Sequence, residues 1–214
     1  PLVQNNKEPQ TAPEQQTETQ QNKYIGQIID GKYEILKLIG RGGFHTTYLA
    51  KDIRLDKIWA VKVCDKQDRS YSPVLRDSIL VETYMMMKLD HPAIPRIVDI
   101  IEDENSIFVA RDYIEGETLE TLIKRSGPQP VDKVVNWGKQ LCNVLGYLHS
   151  QEPPCIYRDV KPANMILRPD NTVALIDFGI ARTYKPGQRE DTVILGTRGY
   201  AAPEQFGGSQ TDAR

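Results

Sequence analysis

Cys155-Ile156-Tyr157-Arg158-Asp159-Val160-Lys161-Pro162-Ala163-Asn164 is the stretch on which the reading of this chain turns. Asp159 can accept a hydrogen bond from an attacking hydroxyl and take its proton. Lys161, two residues on, can neutralise an anionic group while it transfers, and Asn164 offers a carbonyl oxygen to a hard divalent cation. The spacing D-x-K-P-x-N is specific. Thirteen residues after Asn164 stands Asp177-Phe178-Gly179, preceded by the apolar run Val173-Ala174-Leu175-Ile176. A strand ending there would deliver the Asp177 carboxylate to the same cation. Alone, the tripeptide is a common turn; at this distance from D-x-K-P-x-N it reads as a magnesium site.

Three upstream features fit the same chemistry. Gly40-Arg41-Gly42-Gly43 follows the strand-like Tyr33 to Leu38 and precedes a second strand near Thr46 to Ala50. Gly40, Gly42 and Gly43 would let backbone amides approach phosphate oxygens with no side chain in the way. By itself this motif is a plain β-turn. It gains weight from Ala60-Val61-Lys62 in a third strand, Ile58 to Cys64, where a buried lysine is costly unless paired. A helix over about 73–89, capped by Ser72-Pro73 and ended by His91-Pro92, carries Glu82. Taken singly, Glu82 would be a solvated helix residue.

Together with Gly196-Thr197-Arg198-Gly199-Tyr200-Ala201-Ala202-Pro203-Glu204-Gln205, these segments resemble, from about Tyr24 onward, a eukaryotic-type Ser/Thr protein kinase of the bacterial branch. The resemblance implies an α+β, bilobal kinase-like fold: a small antiparallel sheet lobe with one helix, over 24–115, and a mainly helical lobe over 116–214, incomplete at its C-terminal end. It implies ATP and two magnesium ions, with Mn2+ as an alternative, and transfer to Ser or Thr of a protein. Lys62 and Glu82 would pair to orient the ammonium toward the phosphates. Thr47, Ala60, Asp112, Ile114 and Ile166 would surround adenine, with backbone hydrogen bonds from Asp112 and Ile114. Asp159 and Lys161 would be catalytic, and Asn164 and Asp177 would hold metal. Thr197 would bridge Asp159 and Lys161. Arg158 would pair with a phosphorylated activation-loop residue, for which Thr192 is the first candidate and Thr183 the second.

The chain departs from the family pattern in four places. His45 stands where the pattern has a third glycine, Thr47 replaces the valine against adenine, and Tyr157 replaces the usual histidine. Arg111 falls at the gatekeeper position behind adenine, which is normally apolar. It either folds toward a carboxylate such as Glu82, or the register is off by one. Family kinases also continue well beyond Ala-Pro-Glu, so this chain is expected to be poorly active, aggregation-prone or partner-dependent on its own. A pseudokinase or regulatory nucleotide-binding module, and a small-molecule phosphotransferase, are the competing readings.

Composition sets the outer bounds. At 214 residues, 39% hydrophobic and 26% charged, the chain can bury a core. A net charge of -2 gives no footprint for nucleic acid. No apolar run reaches membrane-spanning length and no signal peptide is apparent, so a cytoplasmic setting is expected, alone or as the cytoplasmic part of a membrane-anchored protein. Cys64, Cys142 and Cys155 are widely spaced and read as reduced core thiols. Residues 1–23 hold six glutamines and three prolines and read as a disordered arm. Expected partners are ATP and proteins bearing Ser or Thr, with self-association left open.

Overall fold

The structure is a computed structural model and describes residues 23–42, 45–68, 71–179, 181–183, 196–207 and 211–213. The glutamine-rich arm, Gly43 and Thr192 lie outside them. Lys23, read as the last residue of the arm, ion-pairs with Asp65 at 2.7 Å and so joins the folded part.

Six strands form one antiparallel sheet in the order β1-β2-β3-β4-β6-β5: β1 Ile28–Ile29, β2 Tyr33–Arg41, β3 Thr46–Asp52, β4 Lys57–Asp65, β5 Ile97–Glu102 and β6 Ser106–Asp112. Alternation along the interior strands sorts side chains onto two faces. One carries Val61, Val63, Phe108 and Ala110, packed with Tyr24, Tyr33, Tyr48 and Trp59. The other carries Cys64, Ile107 and Val109, packed against Ile79 of helix α1, Pro73–Met86. Ser72 caps α1 by accepting from the Leu75 amide, and Pro73 opens its first turn. The helix ends three residues earlier than the sequence pattern suggests, because Met87 and Lys88 form a closing turn.

The connection after β6 ends at Gly116, whose φ of +138° only glycine adopts without strain. A Cβ there would also lie 2.2 Å from the Leu167 carbonyl oxygen. Beyond it come β7 Glu117–Thr118, α2 Leu119–Ser126 and α3 Val131–His149, then β8 Cys155–Ile156, a 3-10 turn Pro162–Asn164, β9 Met165–Leu167, β10 Val173–Leu175, β11 Arg182–Thr183 and α4 Pro203–Gly207. The short strands make two small antiparallel sheets, β10-β9-β7 and β11-β8. A second core joins Met86 and Leu89 to Trp137, Val144 and Leu148 of α3 and to Tyr157 and Phe178. Val134 of α3 is 50% exposed. Of the three thiols, Cys64 and Cys155 are buried as expected, but Cys142 is exposed.

Candidate active site

The loop after β8 holds a strained backbone conformation that surrounding hydrogen bonds and packing enforce. Arg158 has φ +62°, and the Asp159 amide donates to the Tyr157 carbonyl at 3.0 Å, closing a tight three-residue turn. Positive φ at a non-glycine residue persists only where the surroundings enforce it. Here Gln205 of α4 donates to the Arg158 carbonyl at 3.0 Å while accepting from the Ala202 amide. Beneath the turn, the fully buried Tyr157 ring meets the edge of Phe178, with centroids 4.9 Å apart.

The Asp159 carboxylate is surrounded. One oxygen accepts from the Thr197 hydroxyl at 2.7 Å; the other accepts from Asn164 at 2.7 Å and pairs with the Lys161 ammonium at 2.7 Å. Lys161 also donates to the Thr197 hydroxyl at 2.7 Å, so Thr197 touches acid and cation together. Asn164 points its amide nitrogen at Asp159, which leaves its side-chain oxygen as the available acceptor. The Asn164 backbone carbonyl accepts from the Ile176 amide at 3.1 Å, placing Asp177 next along the chain from this cluster.

Lys62 on β4 is 6% exposed and Glu82 on α1 is 8% exposed. The ammonium donates to both carboxylate oxygens at 2.9 and 3.0 Å and stands 3.7 Å from Asp177. Burial acts to raise the Asp177 carboxyl, but Lys62, Arg111 and the Gly179 amide outweigh it and hold the group below the usual carboxylate range. It is therefore ionised at neutral pH. Burial, with Lys62 nearby, pushes the His45 imidazole down to about 3, so that ring is neutral. It packs beneath the glycine turn: a Cβ on Gly42 would meet the ring at 2.3 Å.

A cavity of about 310 Å³ opens beside these groups. Thr47, Ala60, Asp112, Ile114 and Ile166, all expected around adenine, line it, together with Gly40, expected at the phosphates. The Asp112 amide is engaged by the Arg96 carbonyl at 3.0 Å, so a contact from that residue to a purine falls to its carbonyl. Arg111 also lines the cavity, in register with Ala60 of β4. It does not turn to Glu82; its guanidinium donates to the Ile176 carbonyl, leaving the Lys62 pair intact. Ile39, Pro95, Thr118, Thr121 and Ile176 complete much of the lining and were not foreseen, because none belongs to a motif that marks it as a contact.

The profile of the family described as the protein kinase domain matches residues 33–214. The chain belongs to the protein kinase domain family. Its relatives include the serine/threonine-protein kinase PknB of Mycobacterium leprae, 32% identical over 192 residues, which cover 87% of this chain and 30% of that protein. The serine/threonine-protein kinase PrkC of Bacillus subtilis is 32% identical over 185 residues, covering 86% of this chain and 28% of the relative. The chain thus spans about 30% of the length of the curated relatives it matches.

The protein kinase family implies ATP and a divalent metal, and the donor set can be tested for fit. Asp177 and the Asn164 side chain are both hard oxygen donors, the type magnesium prefers. Among the described residues no cluster of three or more His, Cys, Asp or Glu forms a self-sufficient metal cage. Two protein oxygens suit an ion that takes its remaining ligands from phosphates and water. The residues fit.

Proposed function

We propose that this chain is the catalytic region of a Ser/Thr protein kinase, moving the γ-phosphoryl group of ATP to a protein hydroxyl. The observation that carries the reading is the Asp159 carboxylate bound at once by Lys161, Asn164 and Thr197, with the Lys62–Glu82 pair and Asp177 alongside. In this reading Asp159 orients the substrate hydroxyl and receives its proton. Lys161 faces the transferring group and offsets its charge, and Thr197 holds acid and cation at a fixed separation. Lys62, oriented by Glu82, engages the α- and β-phosphates, while the glycine turn at Gly40 and Gly42, closed by the Gly42 amide donating to the His45 carbonyl at 2.9 Å, covers them without a side chain in the way. Asn164 and Asp177 would hold magnesium, which when bound neutralises charge on the phosphates. Gly43 and Thr192 belong to the same proposal but lie outside the described residues. Regulation by phosphorylation near Thr192 is proposed because Arg158 precedes the catalytic acid.

Among the described residues no helix is long and apolar enough to cross a membrane. Because the reading requires ATP, the site is proposed to work on the cytoplasmic side, with Ser/Thr-bearing proteins as substrates. The test is transfer from radiolabelled ATP-magnesium to a generic protein, comparing the chain with Asp159→Asn. A loss of about 10²- to 10⁴-fold is expected. Nucleotide binding with no transfer would favour the regulatory module, a reading that the buried Arg111 in the cavity wall keeps in play.

A further inference from the structure

We infer that Arg111 is a positioning residue for the metal-facing carboxylate: its hydrogen bond to the Ile176 carbonyl ties the cavity wall to the segment that carries Asp177. The inference rests on the proposed nucleotide site. Arg111 sits on an interior strand, between Ala60 of β4 and Ile97 of β5, and is 8% exposed. Alternation puts it on the sheet face of Ile107 and Val109, which pack with Ile79 of α1. A guanidinium in that setting is costly unless something specific receives it.

What receives it is the backbone just ahead of Asp177. The Ile176 carbonyl accepts from Arg111, the Ile176 amide donates to the Asn164 carbonyl at 3.1 Å, and the Leu175 amide donates to the Ala93 carbonyl at 2.8 Å. Both polar groups of the Ile176 backbone are therefore fixed, one by the cavity wall and one by the other metal-facing residue. Asp177 follows immediately, with Lys62 at 3.7 Å and the Gly179 amide donating to it at 3.1 Å. The charge of Arg111 also falls on Asp177. An apolar residue at 111 would fill the wall, yet it would leave the Ile176 carbonyl without its donor and the carboxylate free to settle elsewhere.

The test measures Mn2+ binding to the chain with saturating ADP, by the loss of the free-ion paramagnetic signal, and separately the affinity for adenosine. Arg111→Met and Arg111→Gln are too short or too apolar to reach Ile176, and each should weaken Mn2+ binding about tenfold, the scale of one hydrogen bond from a charged donor. Metal affinity should fall by a clearly larger factor than adenosine affinity, and Arg111→Lys should recover most of the metal affinity. Circular dichroism confirms which variants are folded; if the Met variant is not, the Gln and Lys pair decides. Metal binding unchanged in folded Met or Gln variants overturns the inference. So does an equal fall in adenosine and metal affinity, which would make Arg111 a wall residue only. A wild-type chain that binds no Mn2+ with ADP overturns the nucleotide site itself, and this inference with it.

Discussion

A strand lysine that is 6% exposed is unfavourable on desolvation grounds unless its charge is matched, and Lys62 is matched by Glu82 and, at longer range, Asp177. Removing one partner leaves an uncompensated buried cation, so Glu82→Gln should destabilise the fold by about 3–5 kcal/mol in urea titration. The double replacement Lys62→Met with Glu82→Leu should recover most of that loss while abolishing transfer. A double variant no more stable than Glu82→Gln would show the pair to be worth more than its isostere. Lys62, Asp159, Asn164 and Asp177 were legible in the sequence because each breaks a local rule: a charge in an apolar strand, or polar groups at fixed spacing. The partner of Arg111 was not, since it is a backbone carbonyl 65 positions away and carries no residue signature. Gln205, which holds the strained Arg158 carbonyl from 47 positions away, escaped notice for the same reason.

Helix α1 brings Glu82 to the sheet, and its attachment depends on its first turn. The Ser72 cap should be worth about 1 kcal/mol, measurable as the stability lost in Ser72→Ala. One turn further, Arg76 donates twice to Glu102 of β5, at 2.7 and 2.8 Å, and Lys66 adds an ion pair at 2.9 Å. Arg76 first and Lys66 second pull the Glu102 carboxyl from its ordinary 4.5 to about 2. A depressed carboxylate contributes its stability above the unfolded value and loses it as pH falls through the folded one. The gap in urea midpoint between the chain and Glu102→Gln should therefore be full at pH 7 and close between pH 4.5 and 2. A gap that does not vary with pH would separate helix docking from this charge. The sequence pattern disclosed β2, β3, β4 and α1 because their periodicity runs over seven or more residues. It missed β1, β7, β8, β9 and β11, which at two or three residues are too short to show an alternation and exist only through their pairing.

At the scale of the molecule, apolar surface is unevenly covered. Val74, Val81, Tyr84 and Met87 on and beside α1 are 75, 68, 55 and 57% exposed, and Val131, Val134 and Val135 of α3 are 75, 50 and 50% exposed. Exposed apolar stripes of this kind favour association. Val134→Lys with Val135→Glu should reduce concentration-dependent light scattering while moving stability by no more than about 0.5 kcal/mol. Scattering unaffected by the change would locate the sticky surface elsewhere. The two tryptophans of the chain, Trp59 and Trp137, fall one in the core on a face of the sheet and one in the core of the helical region, 7 and 6% exposed. The chain consequently contains its own pair of optical reporters. With Trp59→Phe, emission follows the helical region alone; with Trp137→Phe, it follows the sheet. Superimposed melting curves from the two single-fluorophore proteins would mean that sheet and helices come apart in one event, and separated curves would reveal which half lets go first.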